Sequence, residues 1–418
     1  MIRGINVLEL FGRFDYNINF EKGVTIITGP NGYGKSTILK IIEALSKKRL
    51  SYLIHLDFRK IELILNEEES KIQIEKLENK LSINNSLFSY IEILNYNKNR
   101  DRRRVHVYDD VEDRYKYIRE EYYYEVKNSR YIGEANIDND RIIELEKQIQ
   151  YIKDNIGDIH FIKEQRLMKK INKLRERNDE FIDTIEELPK KFIGLINNIS
   201  SQYSSVSNGL DSTYPYRLFE MDNGIKDEEE FNKNMMEMND KFDKLNKYDI
   251  SEIKSTNSLK FKKEHAKALK IYFEDFNKKY KVYEDFVKRL DLFTDIINSR
   301  LSFKKIKISR EDGIKIVDLE NEEKKISLTQ LSSGEKQEIV LFYELLFETG
   351  DELLILIDEP EISLHIVWQR MFMNDLLKIV EYKNINVIVA THSSAIINNH
   401  WDIQRDLGEI YENEFNKR

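Results

Sequence analysis

Three short runs in this 418-residue chain carry residue types that could act on a phosphate. The first, Gly29-Pro30-Asn31-Gly32-Tyr33-Gly34-Lys35-Ser36-Thr37, has the spacing GxxxxGK[ST] and lies between a β-branched run, Val24-Thr25-Ile26-Ile27, and an apolar helical pattern. Its glycines let the backbone curl until several N–H groups face one anion, and the following helix start adds the positive end of its dipole. Lys35 would then reach the terminal phosphates and Ser36 would hold Mg²⁺. Gly29, Asn31, Gly32, Gly34, Lys35, Ser36 and Thr37 are the expected nucleotide-binding set.

The second run, Leu353-Leu354-Ile355-Leu356-Ile357-Asp358-Glu359-Pro360, is an aliphatic strand ending in two carboxylates. A run apolar on both faces belongs inside a parallel sheet, whose carboxyl ends are where ligands bind in open α/β folds. Asp358 is placed to act on a Mg²⁺ shell and Glu359 to polarise an attacking water. The third run, Leu331-Ser332-Ser333-Gly334-Glu335, is a small-residue turn at a helix start, where hydroxyls and N–H groups can grip an anion. By itself it reads as an ordinary helix cap.

These runs need elements to hold them. The first forty residues read as strand, turn, strand, loop, helix, with the helix from Ser36 to about Leu45. Apolar residues then alternate (Ile61, Leu63, Leu65, Ile72, Ile74), which predicts an antiparallel β-subdomain. Helical spacing dominates afterwards, in one seam from Ile142 to Ile156, one from Leu167 to Leu188 ending at Pro189, one from Phe231 to Leu245, and a long one from Ala266 to Ile297. A short strand at 158–162 returns the chain to the core between the first two. Strands resume after Leu301, followed by a helix from Gly334, the Leu353–Ile357 strand, another helix, and a last strand, Val387 to Ala390. The expected organisation is residues 1–135 for the first half of an α/β head, 136–300 for an inserted helical arm, and 301–418 for the second half.

Composition narrows the classes. The charge is −8, from 67 Lys and Arg against 75 Asp and Glu, so nothing global advertises nucleic acid. With Cys 0, disulfide frameworks, thiol catalysis and Cys-ligated zinc are excluded. Apolar runs of about five residues fall far short of the ~20 that cross a bilayer, and no signal core opens the chain. A cytoplasmic protein with no membrane partner is expected. Two basic clusters, Arg100, Arg102, Arg103 and Arg104, and Arg300, Lys304, Lys305, Lys307 and Arg310, could meet DNA phosphates or be plain solvated charge. An acidic cluster of Glu134, Asp138 and Asp140 reads as a solvated helix cap.

In this order the three runs resemble the ABC ATPase superfamily, with Walker A, a signature in the LSSGE spelling of non-transporter members, and Walker B. The resemblance implies an ABC-type P-loop head, with a mixed sheet flanked by helices, an antiparallel β-subdomain and a coiled-coil-like arm. It implies ATP and Mg²⁺ as cofactors. It further implies that Ser332, Ser333, Gly334 and Glu335 bind the γ-phosphate of ATP held by a second copy, giving a homodimer, or a larger homo-oligomer of head-to-head dimers. His392, in Ala390-Thr391-His392-Ser393, stands as the switch histidine does. Gln165 is the best candidate for the Q-loop contact to Mg²⁺ or water, ahead of Gln73 and Gln148. Ser363-Leu364-His365 stands where transporters keep a SALD-type loop, without its aspartate.

Finer matches, in Leu8 to Tyr16, Phe161 to Leu167, Gly209 to Leu218, Glu359 to His365 and His400-Trp401-Asp402, resemble PtuA-type ATPases of the Septu antiphage system and retron-associated relatives. That likeness implies ATP-dependent control of a separate nuclease subunit of HNH or Toprim type. No nuclease activity is expected of this chain itself, since 26 residues after His392 leave no room for a Toprim domain. The alternative is an SMC/RecF-like repair or chromosome-maintenance ATPase that clamps DNA.

Overall fold

A computed structural model describes residues 2–65, 70–103, 139–171, 180–250, 260–350 and 354–416. The chain forms two compact units, Met1–Ile182 together with Glu348–Arg418, and Asp183–Phe347. The expected boundary at 300 therefore falls inside the second unit.

In chain order the first unit carries β1 (Ile2–Leu10), β2 (Phe14–Asn19), β3 (Val24–Thr28), β4 (Lys60–Leu65), β5 (Lys71–Leu77), β6 (Lys80–Ile83), β7 (Ser86–Ser89) and β8 (Ile159–Ile162). β9 (Met168–Ile171) and β10 (Glu180–Asp183) pair with each other. β11 (Lys304–Ser309), β12 (Gly313–Asp318) and β13 (Lys325–Ile326) lie in the second unit, and β14 (Leu354–Asp358), β15 (Asn386–Ala390) and β16 (Gln404–Asp406) return to the first.

The first unit segregates strand direction. One sheet, ordered β2-β1-β4-β5-β6-β7, is antiparallel throughout, and along β4 Ile61, Leu63 and Leu65 are buried while the intervening residues are half-exposed. The other, ordered β16-β3-β15-β14-β8, is parallel throughout. Every residue of β3 and β14 is buried, as strands covered on both faces must be. The Lys35–Ser46 helix buries Ile38, Leu39, Ile41 and Ile42 completely in the core that both sheets share, each contributing about 1.5–3 kcal/mol.

The second unit is built on helices Thr184–Glu220, Glu228–Asn246 and Ala266–Asn298, with the three-stranded sheet β11-β12-β13. The Leu167–Leu188 seam does not form the single helix its spacing predicts. β9 occupies its start and β10 its stretch up to Asp183, and residues 172–179, with Leu174 and Asn178, lie outside the described residues. The helix begins instead at Thr184, capped by the Asp183 carboxylate, and runs through Pro189, the expected stop. Ile185, Leu188, Phe192 and Ile196 are all fully buried on one face, and their burial outweighs the ~3 kcal/mol cost of an interior proline. Phe192 packs against Phe293, Tyr343 and Phe347, at ring-centroid distances of 5.5, 5.0 and 5.2 Å.

Residues from the Gly209–Leu218 segment fasten this arm. Arg217 grips Asp275 with two bonds of 2.6 Å, and Lys279 meets Asp211 at 2.8 Å. Farther out, Phe231, Met238, Phe242 and Phe273 form a small core of their own.

Gly313 opens β12 at φ +67°, and a Cβ there would lie 2.1 Å from the Pro189 carbonyl oxygen. Neither the dihedral nor the backbone contact can yield cheaply. Gly313→Ala should lower unfolding free energy by about 2–4 kcal/mol, read by chemical denaturation, whereas a loss below about 0.5 kcal/mol would show the contact to be soft.

Candidate functional site

Parallel pairing gathers the chemistry. β3 lies beside β15 with Ile27 opposite Ala390, and β15 lies beside β14 with Ala390 opposite Asp358. The segments after these strands, Gly29–Thr37, Glu359–Glu361 and Thr391–Ser393, therefore emerge together at one end of the sheet. The loop glycines take the backbone the motif requires. Gly34 stands at φ +89°, with its missing Cβ position 2.9 Å from a Leu10 methyl.

Lys35 is buried, and its Nζ lies 3.0 Å from the Gly29 carbonyl, 3.4 Å from the Pro30 carbonyl and 2.5 Å from His392 Nε2. Burial pulls its ammonium below the ordinary lysine range, against the opposing pull of Glu359, Asp358, Glu361 and Asp406. Ser36 Oγ donates to Asp358 Oδ1 at 2.8 Å. Asp358 is pushed up, chiefly by burial, with the Ser36 bond opposing.

Glu359 stands in the left-handed region at φ 45°, and its N–H donates to the Ala390 carbonyl at 2.9 Å. Its carboxyl oxygen is 3.4 Å from His392 Nε2. Burial, followed by the neighbouring Glu361 carboxylate, pushes Glu359 up to about 8. His392 is pulled down by burial and then by Lys35, which favours the neutral imidazole.

Gln165 is exposed, three residues past β8, whose Ile162 pairs with Ile357 of β14. It thus lies at the same sheet end as Asp358. Gln73 and Gln148 are engaged in the β-subdomain, Gln73 with Glu62 at 3.1 Å and Gln148 with Asn84 at 3.1 Å. His365, in place of the SALD aspartate, caps the Ile366–Lys383 helix by accepting from the Val367 N–H at 3.3 Å.

The signature residues lie in the second unit. Ser332 caps the Ser333–Tyr343 helix, and Glu335 accepts from the Ser332 N–H at 2.9 Å and its hydroxyl at 3.0 Å. Ser332 and Ser333 are exposed, whereas Gly334 and Glu335 are buried. Burial alone would raise the Glu335 carboxyl, but Lys304 at 2.9 Å and the Ser332 donors more than offset it, leaving it below its usual value. Glu335 therefore braces the turn. Lys336 with Asp183 at 2.8 Å and Arg300 with Glu338 at 2.6 Å fix the same helix.

The second basic cluster is largely neutralised. Arg300 and Lys304 are paired as above, and Lys305 and Lys307 both meet Glu322, holding its carboxyl down to about 2. Arg310 is exposed. Of the first cluster, Arg100, Arg102 and Arg103 end the Tyr90–Arg103 helix, while Arg104, like Glu134 and Asp138, lies outside the described residues.

Sequence reasoning singled out no role for Arg166, Glu361, Gln369 or Asp406. Arg166 is buried, with Nη2 3.4 Å from the Glu359 carbonyl. Asp406 accepts from the Thr28 hydroxyl at 2.7 Å just before the Walker A loop. The sequence signal for Glu361 was its place two residues beyond the catalytic-type Glu359; the other three carry none.

The family model described as AAA ATPase domain matches residues 5–397. The chain belongs to this AAA ATPase family. It is an ATP-binding, ATP-hydrolysing enzyme with an α/β head and long helical arms. Among curated proteins none matches it. Similar solved structures include the Smc head domain of Pyrococcus furiosus with an extended coiled coil, bound to the C-terminal domain of ScpA, at 14% identity and TM-score 0.38, covering 95% of this chain and 91% of that one. The SMC head domain from Thermotoga maritima is similar at 13% identity and TM-score 0.35, covering 95% and 90%. No helix among the described residues is long and apolar enough to cross a membrane.

Among the described residues no group of three or more His, Cys, Asp or Glu is arranged to hold a metal ion. The Ser36 hydroxyl and Asp358 carboxylate do fit Mg²⁺, which takes few protein oxygens and shares itself with phosphates.

Because Glu359 is protonated in the native protein up to about pH 8 but ionises near 4.5 when unfolded, the native state holds the extra proton between those values. Its contribution to stability is present at low pH and lost as pH rises through that window. Glu359→Gln should therefore gain stability on the wild type steadily from about pH 5 to 8 in nucleotide-free denaturation. A pH-independent gap would show that Glu359 is not raised.

Proposed function

We propose that two copies of this chain clasp Mg-ATP between them, each lending its Ser332–Gly334 turn to the nucleotide held by the other's Walker A loop. The observation that carries this reading is the cluster of Lys35, Ser36, Asp358, Glu359 and His392 around one end of the parallel sheet. Exposure of Ser332 and Ser333 at a helix start supports the second half of the reading.

In this reading Gly29, Asn31, Gly32, Gly34 and Thr37 shape the phosphate cradle, and Lys35 draws the terminal phosphates. Ser36 and Asp358, with Gln165, would hold Mg²⁺, which when bound screens the phosphate charge. Glu359, once ionised, accepts the proton of the attacking water, and His392 donates toward the γ-phosphate. The partner's serine and glycine N–H groups stabilise the charge that spread over the transferring group.

For the biological setting, an SMC/RecF-like clamp is the preferred reading, supported by the long paired helices of the signature-bearing unit. Nuclease control in antiphage defence is supported by the PtuA-like segments alone. The arm residues among them already have a structural task, since Asp211 and Arg217 tie two helices together.

Glu359→Gln should cut hydrolysis by ~10²-fold or more while ATP doubles the particle mass in sedimentation. Ser332→Arg should keep ATP binding and lose the doubling. Wild-type turnover in the first variant, or an unchanged mass with ATP in the same protein, defeats the proposal. ATP-dependent duplex binding by the pure Glu359→Gln protein separates the clamp from the nuclease-control setting, for which a co-purifying nuclease is expected.

A further inference from the structure

Glu361 lies two residues beyond the expected base, yet it reaches across to the turn that carries His392. One oxygen, Oε1, accepts three hydrogen bonds, from Thr391 Oγ1 at 2.6 Å, the His392 N–H at 2.8 Å and the Ser393 N–H at 3.0 Å. The other oxygen is buried, and the carboxylate neighbours that of Glu359. Gln369 of the Ile366–Lys383 helix braces the same turn, accepting from Ser393 Oγ at 2.6 Å while donating to the Leu364 carbonyl at 3.0 Å. The segment following β14 and the segment following β15 are thus tied by a carboxylate and an amide, in addition to their strand pairing.

Such a tie has a specific consequence. His392 is exposed and follows the end of a strand, so strand pairing stops short of it. Charge-assisted bonds to consecutive backbone N–H groups are short and directional, and they define where a turn places its side chain. Without them the imidazole would lose its fixed distance to Lys35 and Glu359.

We propose that Glu361 is a positioning residue for hydrolysis, holding the His392 turn in register with Glu359 and Lys35, with Gln369 as its second support. This rests on the reading of His392 as the group that meets the γ-phosphate. Glu361 itself touches neither nucleotide nor water in this account. It acts through the backbone of His392 and Ser393, while its carboxylate also stands beside Glu359 and pushes that group up.

The test uses the full chain, three single variants and one double variant. Glu361→Ala should lower kcat by roughly ten- to a hundredfold while the Kd for ATP moves less than about threefold, because the Walker A loop is untouched. Glu361→Gln keeps an acceptor oxygen for all three donors and should stay within about threefold of wild type. In a cycle with His392→Ala run well above pH 8, where Glu359 is ionised with or without Glu361 beside it, the Glu361→Ala loss should largely vanish, since both then act through one side chain. Hydrogen exchange at the His392 and Ser393 amides should quicken in Glu361→Ala, with the core of β15 unchanged. A Glu361→Gln variant as slow as Glu361→Ala, fully additive losses, or unaltered exchange at those two amides would each overturn the proposal. Wild-type turnover in His392→Ala would instead defeat the sensor reading, while the exchange measurement still decides whether Glu361 holds the turn.

Discussion

The register of β3, β15 and β14 is the constraint on which the site depends. The three strands are parallel, in register, and buried on both faces, so their carboxyl ends cannot slide relative to one another without exposing Ile26, Val389 or Ile357. Each strand hands over to one chemical segment. The phosphate loop, the two carboxylates and the histidine are therefore neighbours because aliphatic side chains elsewhere are packed. Polar contacts such as Ser36 with Asp358 refine a juxtaposition that burial imposes. The site is accordingly rich in groups held away from their ordinary protonation, with Lys35 pulled down and Asp358 and Glu359 pushed up by the same surroundings. Bringing triphosphate and Mg²⁺ into such a place supplies the opposite charges that these groups lack.

Much of this was legible in the sequence because the signals are local. A β-branched run before GxxxxGK[ST], or an aliphatic run before Asp358-Glu359, states both an element and what stands at its end. The alternation of Ile61, Leu63 and Leu65 stated a half-covered strand with equal directness. What failed was non-local. Spacing by three and four between Leu167 and Leu188 is compatible with a helix, but pairing between β9 and β10 claimed residues on both sides of 172–179 and left only the last five for the helix. Pro189 is a sound stop signal in isolation, and it was overridden by the burial of Ile185, Leu188, Phe192 and Ile196, the third of which meets rings more than 100 residues along the chain. Glu361 shows the same limit in chemistry, since its partners are 30 to 32 residues away and no spacing rule points at them.

The signature turn offers a contrast in how one residue type serves two purposes. Glu335 could have been a ligand group, but it is buried beneath Ser332 and paired with Lys304, so that its charge stiffens the cap. Three ion pairs, at Glu335, Lys336 and Glu338, fix successive parts of the first turns of one short helix. In the proposed dimer such rigidity would leave little ordering to be done when the exposed hydroxyls make contact. The same pairs explain why a cluster that reads as basic in sequence offers little free positive charge in space.

β3 lies between β15 and β16 in the parallel sheet, and the Gly23 N–H is bonded to Asn386, 363 residues later. During synthesis at about 5–20 residues per second, that strand waits roughly 20 to 70 s with both of its edges open. The whole second unit, Asp183–Phe347, is made in that interval. Assembly of the nucleotide-binding half is thereby delayed until residues 386–406 have been made, and a ribosome stalled before residue 386 would leave a sticky, catalytically empty fragment for chaperones to shield.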